Sequence, residues 1–129
     1  MKTYWDSSAL VAAVETPAMQ LRLQRERGVT RSHALAEVFS TITGNPKNRA
    51  DAQIAAEILA SLAKSLEFVD LTADEMLVAL KSARKLGVRG GRVHDLFHAV
   101  AAKKSGAKKI LTLDKNDFDG LTEINLEVI

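Results

Sequence analysis

Hydrophobic and polar positions follow two different periods along this chain. Short apolar runs, bounded by turn-forming or charged residues, are typical of buried strands. These runs cover residues 4–5, 29–30, 66–69, 110–113 and 126–129. Stretches with helical spacing lie between most of them, over residues 7–15, 17–28, 33–43, 48–65, 72–87 and 93–105. The alternation predicts an α/β domain, with a parallel sheet, right-handed crossovers and helices on both faces.

Local signals mark where several of these helices begin and end. Pro17 suits the first position of a helix, and Gly28 is a plausible C-terminal stop. Ser32 is a good N-cap for helix 33–43. Thr72 and Glu75 have the spacing of a capping box. These signals place the helix starts close to the ends of the preceding strands.

Bulk composition indicates one ordinary globular domain spanning residues 1–129. The apolar fraction of 47% and the charged fraction of 26% are typical of such domains. The chain has no cysteine, which excludes a disulfide framework and a thiolate metal site. No segment is long and apolar enough for a membrane span, and Asp6 and Glu15 interrupt any signal-peptide core. We therefore expect a cytoplasmic protein without a membrane partner.

The net charge of +2 conceals a strong asymmetry. Nine basic residues against one acid give the segment 81–109 a charge of +8. The basic residues are Lys81, Arg84, Lys85, Arg89, Arg92, Lys103, Lys104, Lys108 and Lys109. Residues 114–129 carry one lysine and five acids, or −4. This pattern suits a polyanionic substrate beside an acidic site, although solvated helix faces would give the same composition.

Four acids stand where an α/β fold brings chain segments together. Asp6 and Asp114 each end a predicted strand, whereas Glu37 and Asp95 lie early in predicted helices, and Asp117 follows Asp114 by three residues. Strand ends and helix starts share one edge of a parallel sheet, the edge where ligands bind. Several carboxylates at one edge repel one another when all are ionised, unless cations are bound nearby. Oxygen ligands favour Mg²⁺ or Mn²⁺, so the sequence predicts a divalent-metal site.

Each acid also has an ordinary structural explanation. Asp95 can interact with the dipole of its own helix. Glu37 lies opposite the apolar stripe of its helix, on a face that could simply be solvated. Asp114 and Asp117 are common turn residues. Separate explanations do not account for why the four main positions fall on one edge of the sheet, and this shared location favours a common site.

Histidines and serines near these acids suggest other chemistry. His94 and His98 have an i, i+4 spacing that can bind zinc, but no HExxH pattern accompanies them. His33, like these two, suits contacts to a metal ligand or substrate. Ser7 and Ser8 beside Asp6 are better explained as hydrogen-bond partners than as nucleophiles.

Four segments together resemble the PIN domain, and most closely the VapC-type toxins of prokaryotic toxin–antitoxin pairs. They are Asp-Ser-Ser-Ala-Leu at 6–10, Ala-Glu-Val-Phe at 36–39, Val-His-Asp-Leu-Phe-His-Ala-Val-Ala-Ala at 93–102 and Leu-Thr-Leu-Asp-Lys-Asn-Asp-Phe at 111–118. Each motif alone is short, but their order and the chain length match the family over nearly the whole sequence.

The resemblance implies roles for individual residues. Asp6, Glu37, Asp95 and Asp114 match the catalytic and metal-binding acidic quartet, with Asp117 as a fifth acid. Ser7 and Thr112 match supporting hydroxyl positions. The family further implies a three-layer α/β/α sandwich, Mg²⁺- or Mn²⁺-dependent endoribonuclease activity, a homodimer and inhibition by a cognate antitoxin.

Mechanism and substrate contacts follow from that ligand set. One or two metals would lower the pKa of a water, orient it toward a phosphodiester and stabilise the leaving oxygen. A carboxylate such as Asp114 would hold or deprotonate the water. Arg89, Arg92 and Lys103 are candidates for holding the RNA backbone.

Other functions remain open at this point. PIN domains also act in RNA maturation and decay, and a PIN-like module can bind RNA or protein without catalysis. A receiver domain is also α/β with clustered acids, but it needs adjacent acids after the first strand, where Ser7-Ser8 follow Asp6 here. Dimerisation is suggested by apolar residues of the early helices, which core packing would equally explain: Leu10, Val11, Val14, Leu21 and Leu23.

Overall fold

The computed structural model describes residues 2–47 and 49–129. Its five strands are β1 (Thr3–Trp5), β2 (Gly28–Thr30), β3 (Leu66–Phe68), β4 (Lys109–Thr112) and β5 (Asn125–Val128). The α-helices of these residues are α1 (Ser7–Glu15), α2 (Pro17–Arg25), α3 (His33–Gly44), α4 (Ala52–Ala63), α5 (Ala73–Lys81), α6 (Ala83–Leu86) and α7 (Val93–Ser105). Short 3₁₀ turns cover Gly90–Arg92 and Lys115–Phe118. None of the helices in these ranges has the length and apolar character needed to cross a bilayer.

All five strands run parallel in the order β3-β2-β1-β4-β5. β1 is therefore central, with β2 on one side and β4 on the other. Helices cover both faces, which confirms the predicted three-layer α/β/α architecture. The carboxyl ends of β1, β2 and β4 meet at one edge, as expected for strands that all point the same way.

The two faces of the sheet carry separate apolar cores because neighbouring strand residues point in opposite directions. Trp5 and Leu111 pack with residues of α1, α2, α3 and α4. Tyr4 and Ile110 pack with α7 on the other face. Buried residues lie around much of the circumference of α7; they are Leu96, His98, Ala99, Ala101 and Ala102.

Gly28 belongs to the sheet rather than to the end of a helix, so the prediction that helix 17–28 reaches Gly28 is wrong. α2 ends at Arg25, and Glu26 is already extended, with φ −94° and ψ 144°. A Cβ on Gly28 would lie 2.8 Å from Leu23 Cδ1 and 3.1 Å from Trp5 Cδ1. Glycine is required there because α2 and β1 pack directly against the strand backbone.

Ser32 occupies the predicted N-cap position of α3 but makes no capping hydrogen bond. Its backbone is helical, with φ −56° and ψ −34°, so its hydroxyl does not accept from the first turn. Instead its Oγ donates to Asp70 Oδ2 at 2.9 Å and its backbone N–H donates to Asp70 Oδ1 at 2.9 Å. The serine therefore links the start of α3 to the segment after β3.

Two further helix boundaries differ from the sequence prediction. α4 begins at Ala52, where Asp51 accepts hydrogen bonds from the first turn; the predicted start at residue 48 lies outside the described residues. The stretch 72–87 forms two helices because the Ser82 hydroxyl donates back to the Ala79 carbonyl at the junction. The capping box of Thr72 and Glu75 is confirmed.

Candidate active site at the carboxyl edge of the sheet

Asp6 and Asp114 lie beside each other because β1 and β4 are paired. Asp6 directly follows β1, is 3% exposed, and caps α1 by accepting from the Ala9 N–H at 2.9 Å. Asp114 follows β4 by two residues, is exposed, and accepts from the Asn116 N–H at 2.8 Å. Both carboxylates are thus oriented by turns that begin at the strand ends.

Ser8 connects these two strand ends. Its hydroxyl donates to Asp6 Oδ1 at 2.6 Å and accepts from the Leu113 N–H at 3.0 Å. Its Oγ also lies 3.4 Å from Thr112 Oγ1, whose own oxygen accepts from the Asp114 N–H at 3.3 Å. The expectation that Ser7 and Ser8 are hydrogen-bond partners of the site is confirmed for Ser8 by its bond to Asp6. The Asp-x-Ser spacing favours this local side-chain hydrogen bond.

Glu37 is held by two neighbouring elements. Ser7 of α1 donates to Glu37 Oε2 at 3.3 Å, and His98 Nε2 of α7 lies 3.0 Å from Glu37 Oε1. Burial raises the pKa of Glu37, but the hydrogen bond from His98 and the nearby imidazoles of His94 and His33 outweigh burial, so the net shift is downward. The face of α3 that carries Glu37 is therefore covered in part by α7, not simply solvated.

His98 is the buried centre of a hydrogen-bonded chain. It is 1% exposed, and its Nδ1 lies 2.6 Å from the hydroxyl of Tyr4, which is fully buried in β1. The two rings meet edge to face, with centroids 5.6 Å apart. The chain therefore runs from Tyr4 through His98 to Glu37 and Ser7, across four secondary-structure elements.

The pKa of Asp95 is shifted upward, in the opposite direction to that of Glu37. Burial is the main cause that raises the pKa of Asp95 to about 6, and the nearby charges of Asp117, Asp6 and Glu37 raise it further. The imidazole of His98 opposes this shift only in part. Asp95 thus lies where negative charge is already in excess.

Asp117 completes the acidic group. Burial raises its pKa, and Asp114 and Asp6 raise it further, while Arg92 lowers it. The structure therefore brings Asp6, Glu37, Asp95 and Asp117 within electrostatic reach of one another, with Asp114 next to Asp117. Their catalytic and metal-binding roles stay predictions.

The carboxylates of the site are chemically suited to bind a divalent cation, but their side chains are not arranged closely around one point. Among residues 2–47 and 49–129, no three His, Asp or Glu side chains group closely enough to hold an ion between them. Burial is the main cause of the raised pKa values of Asp95 and Asp117, and neighbouring carboxylates raise them further; a hard cation would relieve that repulsion. The residues therefore fit Mg²⁺ or Mn²⁺ by donor type and charge.

The histidine pair does not support the zinc alternative. Both ring nitrogens of His98 face other groups, namely Tyr4 and Glu37. His94 instead stacks on His33, with centroids 5.5 Å apart and an angle of 11° between the rings. His33 and His94 are exposed at the border of the site, so they are available to contact a substrate.

The three predicted RNA-backbone contacts fall in different places. Arg92 stands just before α7 and donates from Nη2 to the Asp119 carbonyl at 2.6 Å, which places its charge next to Asp117. Arg89 is exposed before the 3₁₀ turn that leads into α7. Lys103 lies in the last turn of α7, where it lines a shallow cavity of about 830 Å³ at the other end of the helix. Of these three side chains, Arg92 is the one whose charge acts on an acid of the site.

Arg31 was missed by the sequence analysis. It follows β2 at the same edge, is 5% exposed, and its guanidinium lies 5.3 Å from the centre of the Phe97 ring. Its positive charge lowers the pKa of Tyr4, although burial raises that pKa more. Nothing in the local sequence around Arg31 indicates that its side chain is buried. The burial arises because α7 packs over Arg31 in the folded protein.

Taken together, the geometry defines a class: a three-layer α/β/α domain with carboxylates converging on the carboxyl edge of its parallel sheet. The family model named PIN domain matches residues 3–123. The chain therefore belongs to the PIN-domain family. A comparison with curated proteins found no match.

Solved structures with the same fold support this placement. VapBC2 from Rickettsia felis, bound to a DNA fragment from its promoter, has a TM-score of 0.72 at 18% identity, covering 100% of this chain and 99% of that one. PAE2754 from Pyrobaculum aerophilum has a TM-score of 0.70 at 19% identity, with coverages of 97% and 87%. VapC20 from Mycobacterium tuberculosis, described as a sarcin–ricin loop cleaving toxin, has a TM-score of 0.67 at 21% identity, with coverages of 95% and 98%.

Proposed function

We propose that this protein is a Mg²⁺- or Mn²⁺-dependent endoribonuclease and the toxin of a prokaryotic toxin–antitoxin pair. The observation that carries the proposal is the crowded group of carboxylates at the carboxyl edge of a PIN-type sheet, in which Asp95 has a pKa raised to about 6. A structural acid cluster would normally be neutralised by arginine or lysine. Here the raised pKa values of Asp95 and Asp117 indicate a charge that a bound cation would balance.

The proposed role of each carboxylate follows from its surroundings. Asp6, Asp95 and Asp117 share the buried side of the cluster and would hold the cation. Glu37, ionised and bonded to Ser7 and His98, would contribute a carboxylate of fixed orientation. Asp114 is exposed and would orient or deprotonate the attacking water. A bound Mg²⁺ or Mn²⁺ supplies charge stabilisation at the scissile phosphate and a lowered pKa for water.

RNA would approach over the border formed by Arg89, Arg92 and the exposed histidines His33 and His94. Contacts from arginine to phosphate position a strand without reading its sequence. The few aromatic residues of the chain, including Tyr4 and Trp5 in the core, leave little surface for base stacking. We expect specificity to come from RNA shape near the cleaved bond.

Cleavage of a structured RNA with and without metal is the direct test. Wild type should cleave with millimolar Mg²⁺ or Mn²⁺ and stop in EDTA, and Asp95→Asn should lose activity by ~100-fold or more, since even supporting groups of metal sites contribute that much. Glu57→Gln, at an exposed position of α4, is the matched control and should cleave normally. A folded Asp95→Asn variant that cleaves at the wild-type rate would refute the assignment, and cleavage that does not arrest growth would favour a role in RNA maturation or decay.

An antitoxin is the proposed protein partner. VapBC2 from Rickettsia felis and VapBC-1 from nontypeable Haemophilus influenzae, two structures with this fold, carry names of toxin–antitoxin pairs. We expect the product of the neighbouring gene to form a complex with this chain and to suppress its cleavage of RNA. If the purified neighbour leaves cleavage unchanged at equimolar concentration, the toxin interpretation fails while the nuclease interpretation stands.

A homodimer is proposed on a different surface from the one suggested by the sequence. Leu10 and Leu23 are buried in the core, and Val11 and Val14 pack against it, so core packing explains these residues. On that surface, Leu21 is still 45% exposed.

Helix α5 instead presents an exposed stripe with a self-complementary pattern. Leu77 is 58% and Val78 65% exposed, and Asp74 and Lys81 flank them at i, i+3, i+4 and i+7 spacing. Two copies of α5 packed antiparallel would place each Asp74 opposite the Lys81 of the partner, with the apolar pair between.

The charge pattern allows a rescue experiment. Asp74→Lys or Lys81→Asp alone should weaken the dimer, and the double charge swap should restore it. Light scattering at tens of micromolar measures the masses, with Leu21→Lys as the control at another exposed leucine. A double swap no better than either single variant would exclude this interface.

A further inference from the structure

The chain of hydrogen bonds behind Glu37 has a direction set by the chemistry of its ends. At one end is the side chain of Glu37, and a carboxylate is a hydrogen-bond acceptor only. A bare nitrogen facing Glu37 Oε1 at 3.0 Å would place two acceptors against each other. The Nε2 atom of His98 must therefore carry a hydrogen.

The other end of the chain is a donor. Burial raises the pKa of Tyr4, so its phenol keeps its proton at neutral pH. The hydroxyl lies 2.6 Å from His98 Nδ1, and hydrogen bonds with the Thr30 side chain and the Arg31 backbone lower the pKa of Tyr4 in part. Because the hydrogen on Nε2 is directed at Glu37, the Tyr4 O–H is the donor toward Nδ1.

We infer that His98 is a positioning residue, held by Tyr4 with its Nε2–H directed at Glu37, which fixes the carboxylate of Glu37 at the acidic edge. The inference deepens the proposed nuclease function and rests on it for its effect on metal binding. The tautomer itself does not depend on that function.

The arrangement is suited to positioning because its parts are rigid and buried. Tyr4 is 0% and His98 1% exposed, and they belong to the central strand and to the helix packed on it. Glu37, by contrast, sits on α3 with its side chain 19% exposed and would otherwise have several rotamers. The bonds from His98 and Ser7 occupy one lone pair on each carboxylate oxygen, so a further lone pair on each oxygen stays available.

Two measurements on the purified, metal-free protein and its Mn²⁺ complex test the inference. Nitrogen-15 NMR of the His98 ring at pH 7 should show a protonated Nε2 and an unprotonated Nδ1, and Tyr4→Phe should turn this into a mixture of tautomers. Calorimetric titration with Mn²⁺ should give ~10-fold or weaker binding for His98→Leu, as is usual when a group supporting a metal ligand is lost. His98→Gln, whose amide can still donate toward Glu37, should recover part of that loss.

Glu57→Gln, at an exposed position of α4, is the control and should bind Mn²⁺ like the wild type. For RNA cleavage, His98→Leu should lower kcat with little change in KM, because Glu37 rather than the RNA-binding border is disturbed. A merely structural His98 would lower the melting temperature of His98→Leu while Mn²⁺ affinity stayed at the wild-type value, and that result would overturn the inference. A ring that carries a hydrogen on Nδ1 and none on Nε2 would overturn it as well.

The readouts separate this inference from the proposed function. If wild type binds no Mn²⁺ and cleaves no RNA, the nuclease proposal fails, and the NMR tautomer still decides whether Tyr4 and His98 are arranged as inferred. If wild type cleaves RNA but the tautomer is wrong, only the positioning role fails.

Discussion

Glu37 and Asp95 are carboxylates at the same edge of the sheet, one on α3 and one on α7, and their surroundings shift their pKa values in opposite directions. Glu37 has a hydroxyl and an imidazole bonded to its two oxygens. Asp95 has burial and the charges of Asp117, Asp6 and Glu37 around it. The difference shows that the protein stabilises the charge of one carboxylate with its own hydrogen bonds and places the other where burial and nearby carboxylates disfavour its charge. On the proposed function, Glu37 would be the pre-oriented ligand and Asp95 the carboxylate whose charge the cation relieves.

Metal should stabilise the fold through the Asp95 side of this pair. Binding to the folded state alone contributes about 2.7 kcal/mol when the free metal is ~100 times its Kd. Wild type should therefore melt clearly higher in saturating Mn²⁺ than in EDTA, and Asp95→Asn should gain much less. Differential scanning calorimetry in the two buffers measures both shifts. Equal gains for the two proteins would mean that Asp95 is not part of the ion's environment.

Neutralising the two carboxylates without metal should change stability in opposite directions. In EDTA, Asp95→Asn should melt above wild type, because it removes a half-buried charge from a repulsive cluster; solvent screening limits the gain to about 1 kcal/mol. Glu37→Gln should melt below wild type, since it loses charge-assisted hydrogen bonds of comparable net value, about 1 kcal/mol.

Urea unfolding of both variants gives the free energies, with Glu57→Gln as the exposed control. The comparison between the two carboxylates breaks down if both substitutions shift the midpoint in the same direction.

The pH dependence of stability should also separate the two groups. The folded pKa of Asp95, about 6, exceeds its ordinary value of 3.8, so between these values the folded state binds more protons than the unfolded state. This contribution makes the metal-free protein more stable as the pH falls from neutrality toward 5. Glu37 has a lowered pKa, so its contribution is present above the ordinary value of 4.5 and is lost as the pH falls below that value.

Melting temperatures in EDTA from pH 4 to 7.5 test both signs. Asp95→Asn should flatten the rise toward pH 5, and Glu37→Gln should reduce the fall at the acid end. A wild-type profile that declines steadily from pH 7 to 5, and that Asp95→Asn does not alter, would contradict the assignment of the raised pKa.

The smallest effects are expected from the basic border. Arg89→Gln should weaken RNA binding a few-fold and lower the slope of log K against log salt by about 0.7, the value for one phosphate contact on a single strand. Lys103→Gln should change little, because Lys103 lies at the far end of α7 from Asp95. Fluorescence anisotropy with a catalytically inactive background across a salt series compares the two. A larger slope change for Lys103→Gln would move the RNA path to the other end of the helix.

The sequence predicted elements that depend on neighbours in the chain. Asp6 and Asp114 could be placed at strand ends because a strand followed by a turn is a local pattern, and the capping box at Thr72 is local in the same sense. Ser32 failed as a cap because Asp70, 38 residues away, binds its hydroxyl. Contacts between residues far apart in the chain, such as Ser32 and Asp70, leave no pattern in the local sequence.

The link from Tyr4 to His98 is the clearest example. It joins residues 94 positions apart, and its hydrogen bonds follow from the packing of α7 against β1. The spacing of His98 from His94 pointed toward zinc instead. Arg31 was overlooked for the same reason, because only the packed position of Phe97 turns an ordinary basic residue into a buried one.

The central position of β1 has a consequence for biosynthesis. β1 pairs with β4, so Thr3 lies opposite Lys109, and the acidic edge draws on residues from Asp6 to Asp117. A ribosome must therefore release most of this polypeptide before the carboxylates assemble. One edge of β1 can pair early with β2, but its other edge has no partner until β4 is made, about a hundred residues later. For most of that interval the nascent chain contains Asp6 and Glu37 without Asp95 and Asp117, so the acidic edge forms only late in synthesis.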